Sequence, residues 1–302
     1  FIDEIETLLN RDLPEEERIP LIEKFRKMYE TMDFYVLYNR FLKKEGYQTL
    51  PRRPLEKRKL RYEDVYPVLY LKYRLSRQAE RSNIKHLVID EMQDYSRLQY
   101  LIIRRMFSCK MTILGDRAQT MADQQQDVLQ FLPGIFGKDL RRIEMRKSYR
   151  NTVEIASYAA NLIGVTDLEL FERHGIPVVE RDVTDLEAAL REAVDTLFPE
   201  EKTYETAAVI VPDEKTAERA YLILREILVE KDFDCEKRLS WLNRDSSSFK
   251  KGLTVTTFYL AKGLEFDQVF SIFPKDEKRE MMMQAQYIAA TRALHELRVY
   301  HI

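Results

Sequence analysis

The chain has 302 residues, of which 45% are hydrophobic and 33% are charged, and its formal net charge is −2. This length exceeds what one hydrophobic core usually serves, so two domains are expected, and the near-neutral balance excludes a globally basic nucleic-acid binder. The two cysteines and four histidines show no ligand spacing, no apolar run could span a bilayer and no signal peptide opens the chain, so we expect a cytoplasmic protein without disulfides, structural zinc or membrane contact.

Residues 1–84 are predicted to form a mainly helical segment, because they are polar and show no convincing strand pattern. Apolar residues recur there at spacings of three and four, as on one face of a helix. This stripe consists of Ile22, Phe25, Tyr29, Met32 and Val36. We expect it to face the core.

A basic run follows, with the sequence QTLPRRPLEKRKLR at residues 48–61. Pro51 and Pro54 interrupt any helix, and six basic residues crowd together. The run is either a solvated loop or a patch that contacts phosphate groups or a partner.

Short apolar runs that end in polar residues begin at residue 85, with helix-like segments between them. This pattern is typical of buried parallel strands. The expected strands are residues 87–89, 111–114, 207–211, 253–259, 268–273 and 296–300. The alternation predicts an α/β fold that binds ligands at the carboxyl ends of its strands. We assign residues 85–145 to the remainder of a first domain and residues 146–302 to a second domain.

Two helices of the second domain are predicted to begin at capping boxes. Asn151 with Glu154, and Thr184 with Glu187, place a capping side chain three residues before an acidic one. We expect a helix to start at each of these pairs.

Two adjacent carboxylates follow an apolar strand in the sequence HLVIDEMQD at residues 86–94. Neighbouring strand residues point to opposite faces, so Asp90 and Glu91 can take different tasks. Mg²⁺ prefers one or two carboxylates together with water and phosphate oxygens, which suits Asp90, and Glu91 would orient and deprotonate an attacking water. The alternative is an acidic strand end that only leads into a loop.

Five segments between residues 90 and 293 combine acidic, glutamine, glycine and arginine residues. They are DEMQD at 90–94, ILGDRAQ at 113–119, SYR at 148–150, the stretch from Thr257 through KGLEFD at 262–267, and YIAATRA at 287–293. In this order they resemble motifs II to VI of the UvrD/Rep class of superfamily 1 helicases, within it the HelD and DNA helicase IV-like branch. The resemblance implies two RecA-like domains, the first incomplete, and an ATP-dependent DNA helicase or translocase.

The resemblance also implies a role for individual residues. Asp90 would bind Mg²⁺, and Glu91 would orient the attacking water. Gln119, Arg150 and Arg292 would contact the γ-phosphate, and Tyr149 would stack on the base of the nucleotide. Gly263 and Glu265 would contact the nucleotide and its ribose, while Thr257 and Tyr259 would contact nucleic acid. Arginines aimed at a transferring phosphoryl group raise its rate by several orders of magnitude. Without the other motifs, Arg150 would be interpreted as a surface salt bridge and Arg292 as a charge at a helix end.

The largest departure from the family pattern is that no G-x-x-x-x-G-K-[ST] occurs in the sequence. The backbone N–H groups and the lysine of that loop hold the β- and γ-phosphates. Because the first residue is Phe and the later motifs are intact, we expect an upstream piece to be missing and this chain alone to be inactive. A degenerate relative of the family is the alternative.

Smaller departures concern the partner. The run after Gln119 lacks the usual stacking aromatic, Tyr259 stands where the family has histidine, and Gln284 stands where an arginine is expected. The HelD-like branch shares the short spacing between motifs IV and V. These departures weaken the expectation of base stacking along single strands more than that of ATP hydrolysis. The first hypothesis is a motor on DNA, mainly single-stranded, and the rivals are an ATP-driven RNA polymerase-binding factor and an inactive scaffold.

Overall fold

The computed structural model describes residues 1–27, 31, 33–75, 83–116, 119, 127–145, 147–165, 169–231, 234–246, 251–275 and 280–302. The chain divides into two compact units. The first comprises Phe1–Asp90, Tyr95–Leu114 and Gln126–Asp139, and the second comprises Glu91–Asp94, Gly115–Gln125 and Leu140–Ile302. Neither unit is contiguous in the chain, so the units do not test the contiguous domain boundaries expected from the sequence, which stay a prediction.

The first unit contains helices and one pair of parallel strands. Its elements are α1 (Ile2–Leu9), α2 (Glu15–Lys27), α3 (Phe34–Lys44), α4 (Tyr62–Leu75), β1 (His86–Ile89), α5 (Arg97–Met106), β2 (Lys110–Ile113) and α6 (Val128–Phe136). The strands pair in register from His86 with Lys110 to Ile89 with Ile113. Their carboxyl ends therefore lie at the same edge of the pair, where Asp90 follows β1 and Leu114 follows β2.

The prediction that the apolar stripe lies on one helix is wrong. Helix α2 ends at Lys27, and Asp33 caps a new helix by accepting hydrogen bonds from the N–H groups of Tyr35 and Val36. Val36 is 36% exposed. A polar capping residue thus ends the 3.6-residue periodicity that joined the two segments in the sequence, while Tyr29 and Met32 lie outside the described residues.

The second unit is built on a parallel sheet. Its elements are β3 (Lys147–Ser148), α7 (Val153–Leu162), β4 (Glu169–Leu170), β5 (Val179–Asp182), α8 (Leu186–Asp195), β6 (Thr206–Val211), α9 (Glu214–Glu230), α10 (Cys235–Arg238), β7 (Leu239–Trp241), β8 (Gly252–Thr257), β9 (Phe266–Phe273), α11 (Glu280–Ala290) and β10 (Ala293–His301). Six strands form the sheet, in the order β5-β10-β9-β6-β8-β7, and all their pairings are parallel. The predicted α/β class is confirmed, and the six strands expected from the sequence are present in the structure.

Both faces of this sheet are covered by apolar side chains. Alternate residues of β6 point to opposite faces, so Val209 and Val211 lie in one core cluster while Ala208 and Ile210 lie in the other. Helices α8 and α9 contribute to the first cluster, and α7 and α11 contribute to the second. Burial on both faces explains why these strands are continuous apolar runs in the sequence.

The predicted helix starts are each one residue too early. The N-cap of α7 is Thr152, whose hydroxyl accepts from the Ile155 N–H, and the N-cap of α8 is Asp185, whose carboxylate accepts from the Ala188 N–H. Asn151 instead donates to the backbone carbonyl oxygens of Thr291 and Ala293. The Asn151 side chain, which the local pattern assigned to the N-cap of α7, is therefore used in a tertiary contact instead.

The helices of the described residues are all too short or too polar to cross a membrane.

Gly252 is expected to be required for the folding of the second unit. Its φ is +116°, and an added Cβ would lie 2.2 Å from the backbone oxygen of Arg238. Because backbone strain and overpacking each cost about 1–3 kcal/mol, we expect Gly252→Ala to lower the free energy of unfolding by roughly 3 kcal/mol. Urea denaturation, followed through the fluorescence of the single tryptophan, Trp241 on β7, measures this.

The matched control is Gly164→Ala. Gly164 has a φ of +67°, and an added Cβ would meet nothing within 4 Å. This variant carries only the backbone cost of about 1 kcal/mol. Equal losses in the two variants would show that the close approach at Gly252 contributes nothing.

Candidate functional site

Arg292 lies at the turn between α11 and β10 and is only 1% exposed. Its guanidinium donates to the carbonyl oxygens of Ile288 (3.2 Å) and Leu264 (3.4 Å), and to the hydroxyl of Thr291 (3.2 Å). A further N–H reaches Oε1 of Gln119 at 3.5 Å, the limit of a hydrogen bond. The side chain is thus fixed from several directions by neutral acceptors.

The charge of Arg292 has no contact ion pair, because none of its partners among the described residues is a carboxylate. Burial lowers the pKa of Arg292, the nearby Arg150 lowers it further, and the charges of Glu91 and Glu265 oppose this effect. A guanidinium nevertheless stays protonated in proteins. A buried cation held only by neutral groups carries a large desolvation cost, which an anion would offset.

A hydrogen-bonded network joins Gln119 to a second residue of α11. The Gln119 amide donates to Oδ2 of Asp116 (3.0 Å), and the hydroxyl of Tyr287 donates to the same oxygen (3.0 Å). Burial and the charge of Asp116 together raise the pKa of Tyr287, so it remains a neutral donor. Asp116 therefore positions Gln119 beside Arg292 and ties it to the helix that precedes Arg292.

The same network reaches Glu91 through Gln93, which is 6% exposed. Gln93 donates through Nε2 to the Glu91 carboxylate (2.5 Å) and accepts through Oε1 from the backbone N–H of Asp116 (3.1 Å). Glu91 has a φ of +52°, a left-handed conformation that costs a non-glycine residue on the order of 1–3 kcal/mol. Strained backbone of this kind clusters at functional sites, because surrounding contacts must hold it.

Gly115 allows the two loops of this network to approach each other. A Cβ at this position would lie 2.4 Å from Cγ of Met92 and 2.7 Å from its backbone nitrogen. Any side chain would push apart the segments that carry Glu91 and Asp116. The glycine of the sequence ILGDRAQ thus has a steric role here.

Two ion pairs lie elsewhere within the five segments. Arg150 contacts Glu265 at 2.7 Å, and both side chains are nearly half exposed, so the pair contributes little to stability. Lys262 contacts Asp94 at 2.5 Å, with the lysine side chain only 11% exposed. The first pair joins two of the residues assigned to the nucleotide, and the charges of both reach Arg292.

Tyr149 offers an open aromatic face. It is 60% exposed, and its ring lies 5.5 Å from that of Phe171, with the ammonium of Lys147 also 5.5 Å from its centre. An exposed ring in this setting can stack on a planar ligand, with a cation close to it.

The remaining predicted residues are Asp90, Gly263, Thr257 and Tyr259, and their settings differ. Asp90 belongs to the first unit and is exposed at the end of β1, and Gly263 is exposed with a φ of +78°. Thr257 is fully buried, and its hydroxyl has no hydrogen-bond partner among the described residues. Tyr259 is half-buried and packs edge-on against Phe258. Thr257 therefore presents no open surface to nucleic acid, whereas part of the Tyr259 surface is exposed.

Sequence reasoning missed Asp116, Tyr287, Gln93 and the pair of Lys262 with Asp94. All of them fall inside the five segments, yet no spacing in the sequence indicates which side chains meet. Asp116 and Tyr287 are 171 residues apart in the chain.

The hydrogen bond between Tyr287 and Asp116 is expected to stabilise the second unit measurably. In a double-mutant cycle of Tyr287→Phe and Asp116→Ala, we expect a coupling energy of at least about 1 kcal/mol, because the acceptor is a carboxylate and the donor is largely buried. Urea denaturation followed through Trp241 gives the four free energies. Tyr300→Phe serves as the control partner, since Tyr300 packs in the other core cluster. Coupling below about 0.5 kcal/mol for Tyr287 would contradict the network.

The comparisons with known proteins point to helicases. Residues 2–121 match the family model described as the UvrD/REP helicase N-terminal domain, which supports the UvrD/Rep resemblance over that part of the chain without distinguishing a HelD-like branch. This stretch includes Asp90, Glu91 and Gln119 but is less than half of the chain. Among curated proteins, none matches.

Solved helicase structures are among the similar chains. The C-terminal domain of a possible DNA helicase from Lactobacillus plantarum has 24% identity and a TM-score of 0.40, with 51% of this chain and 88% of that chain covered. The PRRSV helicase has 16% identity and a TM-score of 0.41, with 72% and 35% covered. An arterivirus helicase in complex with DNA has 13% identity and a TM-score of 0.38, with 72% and 40% covered. The matched part of the chain covers little more than a third of the length of these viral helicases. Because the TM-scores are low, an argument about function must rest on the family model and on the side chains of the site.

Proposed function

We propose that this chain is part of an ATP-dependent motor of the superfamily 1 helicase type, built on RecA-like domains and acting on nucleic acid. The observation that carries the proposal is the buried charge of Arg292, which has no carboxylate hydrogen-bond partner among the described residues and is linked by hydrogen bonds through Gln119, Asp116 and Gln93 to Glu91. The match of residues 2–121 to the UvrD/REP helicase family model supports it independently.

The chemistry of these residues suits a polyphosphate. The Arg292 guanidinium and the Gln119 amide supply N–H donors and a positive charge, the groups that stabilise charge on transferring phosphoryl oxygens. The hydrogen-bond partners of the Arg292 guanidinium among the described residues are neutral, so an incoming phosphate would add the ionic contact that this buried charge lacks. Asp90 would hold Mg²⁺, which neutralises charge on phosphate oxygens when bound.

Glu91 is proposed as the general base. A carboxylate that accepts from Gln93 is fixed in orientation, and the left-handed backbone sets the direction in which the side chain leaves the strand end. A general base must be held within hydrogen-bonding reach of the proton it removes. The network that fixes Glu91 is the one that fixes Gln119 beside Arg292, so base and phosphate-binding groups are positioned together.

Arg150 and Tyr149 are proposed to bind the rest of the nucleotide. The exposed pair of Arg150 with Glu265 has a strength of about 0–1 kcal/mol, so a nucleotide can separate it at low cost. Arg150 would then contact phosphate and Glu265 the ribose. The open face of Tyr149 would stack on the base.

The test is Arg292→Lys in the full-length protein, with steady-state ATP hydrolysis as the measurement. Lysine keeps the positive charge but loses the planar fork of donors, and a transition-state contact should depend on that fork. We expect kcat to fall on the order of a hundredfold while KM changes little. Arg298→Lys is the matched control, because Arg298 is paired with Glu296 at 2.8 Å and lies outside the network. We expect the control to retain its activity.

A second variant separates binding from chemistry. Glu91→Gln should keep nucleotide binding and lose about a hundredfold or more in kcat, as expected for a general base. A raised KM with unchanged kcat in Arg292→Lys would reduce that residue to a binding role. Mild and equal effects of both variants would overturn the proposal.

The rival function is an ATP-driven factor that binds RNA polymerase. Buried Thr257 favours it, because this residue, which was assigned to nucleic acid, is not open in the structure. ATP hydrolysis by the full-length protein, with single-stranded DNA or with core RNA polymerase at two salt concentrations, distinguishes the functions. For a nucleic-acid motor we expect stimulation by DNA that weakens with salt. Stimulation by polymerase alone would favour the rival.

A further inference from the structure

A cavity of about 430 Å³ lies in the first unit, beside the basic run at residues 48–61. Its lining includes Tyr35, Leu50, Pro51, Arg53, Lys59 and Arg61. Binding sites for small groups commonly have volumes of 300–1,000 Å³. None of these residues belongs to the network around Arg292, so the cavity is a separate feature.

The basic run is held in one conformation by contacts with α3. The Asn39 side chain donates to the Leu50 carbonyl oxygen (3.2 Å) and accepts from the Leu50 N–H (2.6 Å), and the Tyr35 hydroxyl donates to the Pro51 carbonyl oxygen (2.7 Å). Arg58 stacks 4.7 Å from the centre of the Tyr35 ring and pairs with Asp33 at 2.7 Å. The solvated-loop interpretation is therefore incomplete, because the segment is fixed.

The charges of the run fall into two groups. Arg58 is paired with Asp33, and Arg61 is paired with Asp64 at 2.9 Å. Arg53 and Lys59 are exposed, and neither has an acidic partner among the described residues. Arg52 and Lys57 are also exposed without such a partner in the described part of the chain. These four cations outnumber Glu56, the one carboxylate of the run, and like charges repel one another, so this arrangement does not serve the stability of the fold.

The floor of the cavity is apolar. Leu50 is 5% exposed and Tyr35 is 7% exposed, and both belong to a small core cluster with Tyr38 and Leu42. Pro51 lies exposed beside them. Arg53 precedes and Lys59 follows the short 3-10 turn Leu55–Lys57, so the two unpaired cations reach the cavity from the two ends of this turn.

We propose that this cavity binds a single strand of nucleic acid, with a base on the apolar floor and neighbouring phosphates on Arg53 and Lys59. The inference rests on the proposed function, whose motor needs a surface for nucleic acid. A single strand presents an apolar, planar base together with a phosphate on each side of it, and sites for single strands combine positive charge with apolar or aromatic contact. An acidic peptide would satisfy the cations but has no regular planar group for the floor.

The test uses the full-length protein without ATP, and the fluorescence anisotropy of a labelled single-stranded oligonucleotide. We expect Arg53→Gln/Lys59→Gln to weaken binding at least about tenfold at low salt. Each lost phosphate contact should also reduce the slope of log affinity against log salt by about 0.7, or roughly 1.4 for two contacts. The charge-keeping exchange Arg53→Lys/Lys59→Arg should retain most of the binding and the slope.

The matched control is Arg26→Gln/Lys27→Gln on α2. It removes the same two residue types from an exposed part of the first unit that does not line the cavity. We expect affinity and slope to stay as in the unmodified protein. The melting temperature of the Arg53/Lys59 variant should not fall, because like charges are removed. An equal loss of binding in both variants would overturn the site.

Two competitor ligands identify the chemistry. An abasic strand of the same length keeps the phosphates but lacks the bases, and we expect it to bind at least several-fold more weakly. Binding equal to that of the normal strand would overturn the role of the floor. If poly-glutamate competes as well as DNA, the cavity is a site for acidic peptides, and the proposal is overturned.

The outcome is independent of the test of ATP hydrolysis. If DNA binding depends on Arg53 and Lys59 while Arg292→Lys leaves kcat unchanged, only the proposed catalytic site fails. If Arg292→Lys loses kcat while the Arg53/Lys59 variant binds DNA normally, only this inference fails.

Discussion

The guanidinium of Arg292 is charged, buried and surrounded by neutral acceptors, and the rest of the candidate site depends on how that charge is held. Backbone carbonyl oxygens of Ile288 and Leu264 fix its direction, so it cannot turn towards solvent without leaving these groups unpaired. Such an arrangement is unfavourable for stability alone, because an apolar side chain would fill the same volume without the desolvation cost. The cost becomes understandable when the position is one where an anion binds.

Asp116 has the complementary role. One of its carboxylate oxygens accepts hydrogen bonds from both Gln119 and Tyr287, and its backbone N–H donates to the Gln93 side chain. Three separate stretches of chain are thereby joined through a single residue, at a point where Gly115 removes the side chain that would keep them apart. A change in the contact between Gln119 and Arg292 would reach Glu91 through hydrogen bonds alone. That property suits a site in which binding of phosphate and activation of water must occur together.

Much of the fold could be predicted from the sequence, because strands buried on both faces are uninterrupted apolar runs. The run at β6 is an example, with every residue from Ala207 to Val211 fully buried. The edge strand β5 (Val179–Asp182) was missed because three of its four residues are exposed and polar. The helix start at Asn151 was placed wrongly because both Asn151 and Thr152 can cap, and only a contact with residues about 140 positions later decides between them.

The candidate site could likewise be predicted only in part from the sequence. Glu91, Gln119 and Arg292 could be named from the resemblance of short segments to known motifs, and the structure joins them in one network. The partners that hold them could not be named, because the reach of the Tyr287 hydroxyl to Asp116 depends on how α11 packs against the sheet. The charges of Arg53 and Lys59 were visible in the sequence as part of a basic run. Only the ion pairs of Arg58 and Arg61 show that Arg53 and Lys59 are the lining cations without an acidic partner in the described part of the chain.

The position of β10 has a consequence for how the second unit is made. This strand is the latest of the six in chain order, yet it lies inside the sheet, between β5 and β9. During vectorial synthesis, β5 is produced more than a hundred residues before the neighbour that covers its edge, and at 5–20 residues per second this interval is on the order of ten seconds. Throughout that time β5 exposes unpaired backbone groups to other chains. The exposed, charged side chains of β5, Glu180 and Arg181 among them, would discourage intermolecular pairing while the nascent sheet waits for its final strand.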